Sequence, residues 1–204
     1  MRALQAILFD FDGVLLDTEP VHCACWAEVL APTGLTLTWE YYRDHCIGID
    51  DRDMLRVMAR QADPPRDWDS LWALYPAKKK LFQARMKAPP FEPTLVGMLP
   101  GLHRQFKLAV VSSSSCGEIE PLLVAGGIRQ HFDTIVGGGD VERHKPAPDP
   151  YLLAAARLGV ETALVLEDSA AGIASGRAAG CEVLAVRHPA EVAGLLRARL
   201  SLVA

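Results

Sequence analysis

The 204-residue chain is 50% hydrophobic and 23% charged, with a mean hydropathy of +0.13. That is enough apolar side chain to bury a core and exclude wholesale disorder, in a length that fits one domain or one domain carrying a smaller insert. Its 21 Lys and Arg against 25 Asp and Glu give a net charge of −4, so the basic surface that nucleic acid or an anionic membrane requires is not expected.

In chain order, the first predicted element is a short strand, Ala6–Phe9. It ends at once in Asp10, so this apolar run is too short for a signal peptide. No other stretch approaches the ~20 apolar residues of a membrane span. The next ninety or so residues contain no convincing strand and hold all four Trp. Helices are predicted over Val21–Leu30, over Asp51–Arg60 with Asp50 as N-cap, and over Trp68–Met86, which Pro76 kinks or divides. The run Ala88-Pro89-Pro90-Phe91-Glu92-Pro93 then reads as a stiff linker. Beyond it, continuous apolar runs at Leu108–Val111, Thr134–Val136, Ala163–Leu166 and Val183–Val186 read as parallel strands buried on both faces. Helical patterns at Gly117–Ala125, Pro150–Leu158 and Ala170–Ala179 separate them, and Gly194–Ala204 is an apolar tail that packs on the core or on a partner. This alternation predicts an α/β fold: a three-layer Rossmann-like core with a parallel sheet, residues 1–15 and 92–204, and an all-helical subdomain, residues 16–91, inserted after the first strand. The five Cys, an odd number with no CxxC pair, point to reduced thiols in a cytoplasm rather than a disulfide framework or zinc ribbon.

Ligands of open parallel sheets gather at the carboxyl ends of the strands. There the chain places Asp10-Phe11-Asp12-Gly13, then Ser112–Ser115, then Gly137-Gly138-Gly139-Asp140 leading to Lys145-Pro146, then Glu167-Asp168-Ser169. Converging carboxylates repel and raise one another's pKa unless a cation joins them. An all-oxygen set of Asp10, Asp12, Glu167 and Asp168 suits Mg²⁺, which accepts one or two carboxylates plus substrate phosphate. Lys145 is a second cation, and the Ser112 hydroxyl with the backbone N–H groups after it can hold phosphoryl oxygens. Each of these features alone is commonly a turn, a cap or a solvated surface; their ordered occurrence after successive strands is what carries the reading toward phosphoryl transfer.

At these residues the chain resembles the haloacid dehalogenase superfamily, in the branch of phosphatases and β-phosphoglucomutase-like enzymes with a small helical cap. Phe9-Asp10-Phe11-Asp12-Gly13-Val14-Leu15-Leu16-Asp17-Thr18-Glu19 resembles its first motif, Ser112 its second, Lys145-Pro146-Ala147-Pro148-Asp149 its third, and Glu167-Asp168-Ser169-Ala170-Ala171-Gly172 its fourth. The resemblance implies Asp10 as nucleophile and metal ligand, and Asp12 as general acid and base with its backbone carbonyl on the metal. It implies Ser112 and the Ser113 backbone on the phosphoryl group, Lys145 as its neutralising cation, and Asp168 with Glu167 completing the Mg²⁺ site. Asp12 argues against C–halogen hydrolysis, because halide leaves without protonation. In the cap, Thr18, His22 and Trp26 match the hinge and first helix of relatives, and Lys80 matches a cap lysine of the mutase relatives. Lys78, Lys79 and Lys80 together read first as a solvated helix face. His22 is read as structural ahead of a role at the substrate. In Gly48-Ile49-Asp50-Asp51-Arg52, Asp51 takes the place of the mutases' phosphate-gripping arginine and Arg52 follows one later. The expectation is therefore a cytoplasmic Mg²⁺-dependent phosphatase, monomeric or weakly dimeric, acting on a small phosphorylated metabolite of the sugar phosphate or phosphoglycolate class, with a cap that closes over substrate. A phosphomutase and a catalytically silent phosphate-ester sensor are the alternatives.

Overall fold

The computed structural model describes residues 3–47 and 49–201. The chain divides into two compact units: Met1–Asp17 with Ala88–Ala204, and Thr18–Lys87.

The first unit is a three-layer α/β fold. Its sheet comprises β1 (Ala6–Phe9), β2 (Lys107–Val111), β3 (Thr134–Val136), β4 (Ala163–Glu167) and β5 (Glu182–Ala185), all parallel, in the order β3-β2-β1-β4-β5. The β1 to β4 residues are apolar without alternation because helices cover both faces, and Ile7, Leu8, Leu108 and Val165 are fully buried. Strand β5 departs from that expectation. It is the sheet edge, and Glu182 and Ala185 are exposed. The helices are α6 (Pro93–His103), α7 (Cys116–Ala125), α8 (Asp149–Leu158), α9 (Ala170–Ala178) and α10 (Pro189–Leu200). Tyr151 and Ala154 of α8 pack on Ala6, Leu8, Ala109 and Val111. Right-handed crossovers then place α8 and α9 on this face and α6 and α7 on the other. The apolar tail anticipated from residue 194 is largely part of α10, whose Val192, Ala193 and Leu196 are buried and which packs against α6; residues 202–204 lie outside the described residues.

The sheet order reverses direction at β1 and β4, so a crevice opens at their carboxyl ends. Phe9 pairs with Leu166, and the Asp10 N–H donates to the Leu166 carbonyl at 3.0 Å. That register sets Asp10 level with Glu167.

The second unit is helical among its described residues: α1 (Glu19–Leu30), α2 (Trp39–His45), α3 (Asp51–Gln61), α4 (Trp68–Trp72) and α5 (Tyr75–Arg85). The single helix expected over Trp68–Met86 is two, with Pro76 in the first turn of α5, where its missing N–H costs no intrahelical bond. Trp26, Leu30, Leu55 and Leu71 form its core, flanked by Trp68, Trp72 and Tyr75.

Candidate active site

Every charged group of the site sits just beyond a strand end, where rigid sheet backbone fixes it. Asp10 follows β1, Glu167 closes β4, and Asp168 begins the loop to α9. Asp10, Glu167 and Asp168 each bring a carboxylate oxygen within 4.8 Å of the others. The Lys145 ammonium reaches in from the loop between β3 and α8. It donates to Asp10 Oδ1 at 2.8 Å, Glu167 Oε1 at 2.5 Å and the Val111 carbonyl at 3.1 Å, using all three of its protons. Asp12 is held from the β2 side: its Oδ2 accepts from Ser112 Oγ at 3.1 Å and Ser114 Oγ at 2.9 Å. The Ser114 N–H in turn donates to Ser112 Oγ at 3.0 Å. Gly13, at φ +80°, turns the chain away, and a Cβ there would run into the Asp168 carboxylate.

The electrostatics are those of a site short of positive charge. Burial, then the Glu167, Asp168 and Asp12 charges, lift the Asp10 carboxyl well above the usual range, while Lys145 pulls it down. Asp168 is pushed up to about 7, by burial and then by Glu167 and Asp12. Burial opposes the Lys145 charge, yet Asp10 and Glu167 overcome it and hold the ammonium firmly protonated. One ammonium among these carboxylates leaves an excess of negative charge that a divalent cation would relieve.

The members of this acidic group are not equivalent. Glu167 Oε1 accepts from Lys145 and from the buried Tyr151 hydroxyl at 2.6 Å; Oε2 accepts from the Ser169 hydroxyl at 3.1 Å and N–H at 3.3 Å. Four donors use its four lone-pair directions. The glutamate therefore anchors Lys145, leaving Asp10 and Asp168 as the members with oxygens to offer a cation. Gly172 has no side chain because a Cβ would collide with the Glu167 carboxylate.

Asp10, Asp12, Ser112, Lys145, Glu167 and Asp168 thus meet at one place in the α/β unit, with half-buried Ser113 in the same loop. Tyr151 and Ser114 belong to the network and escaped the sequence reading. Tyr151 stands six residues after Lys145, one helical turn into α8, so its spacing was the available signal; Ser114 was hidden inside a serine run. The remaining candidates lie in the helical unit. Thr18 is fully buried, and His22 is buried and stacked on Phe82 at 4.2 Å. The Arg52 guanidinium lies 4.9 Å from the Trp72 ring centre, and Lys80 is exposed. Gly48 lies outside the described residues. The solvated face expected for the three lysines fails at Lys78, which is fully buried and donates to Asp51 Oδ2 at 3.0 Å. Asp51 Oδ1 accepts from the Trp26 indole at 2.7 Å.

A parallel α/β sheet with carboxylates and a lysine gathered at its switch point defines the class: an enzyme with a charged, oxygen-rich site at the carboxyl edge of a Rossmann-like fold. The comparisons name the family. Residues 7–186 match the haloacid dehalogenase-like hydrolase model, and the chain belongs to that family. The fructose-1-phosphate phosphatase YqaB of Escherichia coli (strain K12) is 36% identical over 185 residues, 89% of this chain and 95% of that protein. A phosphorylated carbohydrates phosphatase of Thermotoga maritima is 29% identical, over 88% of this chain and 83% of the relative. Among solved structures, a mutant CbbY of Rhodobacter sphaeroides in complex with xylulose-(1,5)bisphosphate matches with a TM-score of 0.78 at 30% identity, covering 90% of this chain and 87% of that one. The β-phosphoglucomutase of Clostridium difficile shares the fold, with a TM-score of 0.81 at 20% identity and 93% coverage of both chains.

Proposed function

We propose that the protein is a Mg²⁺-dependent phosphatase that hydrolyses a small phosphorylated metabolite, of the sugar phosphate class before the phosphoglycolate class, through an aspartyl-phosphate on Asp10. The observation that carries this reading is the pairing of Asp10 with Lys145 beside an Asp12 that two serine hydroxyls hold in place. The relatives that act on phosphorylated sugars support the substrate class.

Asp10 and Asp168, with the main-chain carbonyl of Asp12, would hold the cation; the oxygen-only donor set and the uncompensated charge both fit it. When bound, it supplies Lewis-acid charge that neutralises the transferring phosphoryl group. The chain's own residues do the rest. The Asp10 carboxylate attacks phosphorus as the ester P–O bond breaks, and Asp12 gives its proton to the departing alkoxide. Asp12 then takes a proton from water, whose oxygen attacks phosphorus and breaks the Asp10–phosphoryl bond, releasing phosphate and restoring both carboxylates. Lys145, anchored by Glu167, balances charge between Asp10 and the phosphoryl oxygens. The hydroxyls and N–H groups of Ser112 and Ser113 orient those oxygens.

Asp51 supports hydrolysis over phosphoryl return to a sugar. At the position of the mutases' arginine it carries the opposite charge, and it is engaged with Lys78 and Trp26. A panel of sugar phosphates and phosphoglycolate, assayed with Mg²⁺ for free phosphate and for isomerised sugar phosphate, tests both readings. Phosphate release without isomerisation is expected; isomerisation without phosphate release overturns the hydrolytic reading.

A further inference from the structure

The turn after β3 touches no reacting group, yet its hydrogen bonds run toward the site. Asp140, with its side chain 27% exposed, accepts three donors. They are the Gly137 N–H at 2.9 Å, the Cys116 thiol at 3.4 Å and the Arg157 guanidinium at 3.1 Å. Arg157, on α8, is itself fixed by donating to the Ile135 carbonyl of β3 at 2.8 Å. The turn that Asp140 closes is docked on the serine loop. The Gly138 N–H donates to the Ser114 carbonyl at 3.0 Å. A Cβ on Gly137 would stand 2.7 Å from the Cys116 nitrogen and 2.9 Å from the Ser114 carbonyl oxygen, so backbone lies against backbone there. Ser114, in turn, holds Asp12 and Ser112.

We propose that Asp140 is a positioning residue: braced by Arg157, it sets the Gly137–Gly138 turn against Ser114 and so fixes where Asp12 stands relative to the departing oxygen. A carboxylate suits this task, since it accepts from the backbone, the thiol and the guanidinium at once and so ties β3, α7 and α8 to one point. The inference rests on the hydrolytic reading above. Misplacing a proton donor by a fraction of an ångström costs most where the leaving group needs the proton, and little where it does not.

The experiment compares Asp140→Ala, Asp140→Asn and Arg157→Gln with the unaltered protein on an alkyl sugar phosphate and on p-nitrophenyl phosphate, whose leaving group departs as a stable anion. The quantity read is kcat/KM, which ends at the first irreversible step and so isolates departure of the alcohol. Asp140→Ala is expected to lose about 10- to 100-fold on the alkyl ester and only a few-fold on the aryl ester. Asp140→Asn, which keeps an acceptor for Gly137, is expected to recover part of the loss, and Arg157→Gln to show a smaller loss with the same leaving-group bias. Equal losses on both esters, or no loss on either, overturn the proposal. Should Asp140→Ala not fold, the other two variants decide by the same criterion. Failure of the unaltered protein to release phosphate from any ester would instead overturn the hydrolytic reading.

Discussion

The molecule buries two lysines, one in each unit, and they are held in opposite ways. Lys145 faces Asp10 and Glu167, with Asp168 and Asp12 close behind. Lys78 faces a single carboxylate, Asp51, and is otherwise ringed by Trp26, Tyr75 and Phe82, its nitrogen 5.6 to 5.9 Å from their centres. Around Lys78 charge is balanced and the remaining contacts are aromatic faces, which favour a cation. Around Lys145 charge is unbalanced, and the imbalance is what a metal and a phosphoryl group would use. A buried pair that closes on itself is architecture; a buried cluster that stays electrically open is a site for chemistry.

The comparison can be broken at several points. The largest effect is expected at the nucleophile: Asp10→Asn should keep the fold by circular dichroism and reduce kcat by more than about 10⁴-fold. Substantial residual turnover would remove Asp10 from that role. Chelating divalent metal should abolish turnover reversibly, with activity restored by Mg²⁺; activity that persists in chelator would show that the excess negative charge has no catalytic use. Lys78→Met should act on stability instead. It leaves Asp51 without its ammonium partner and should cost about 1–3 kcal/mol, discounted because Asp51 is partly exposed. Urea denaturation reads that loss, and turnover should persist where the variant is folded. Tyr151→Phe should give the smallest effect. Removing one donor to Glu167 while keeping the ring should lower kcat/KM by about 3- to 10-fold and stability by about 1 kcal/mol. A loss as large as that of Asp10→Asn would make Tyr151 a participant rather than a support.

Much of the α/β unit was legible as sequence because parallel strands buried on both faces are short uninterrupted apolar runs, and the polar residues after them mark the carboxyl edge. The helix α6 was not legible. Pro93, Gly97, Pro100 and Gly101 are poor helix residues, and it forms because Leu95, Leu99 and Leu102 are buried. Nor could three adjacent lysines in the helical unit reveal which one is buried, because that depends on where Asp51 and the aromatic rings come to lie.

By itself, the order of residues along the chain determined that acidic groups, a serine loop and a lysine would follow successive strands, since backbone direction and strand order are local properties that hydrophobic pattern records. Only the tertiary structure decided how they divide the work. Glu167 is saturated by Lys145, Tyr151 and Ser169, and Asp12 is held by Ser112 and Ser114. These are hydrogen bonds between residues up to 135 positions apart, and no local pattern encodes their distances.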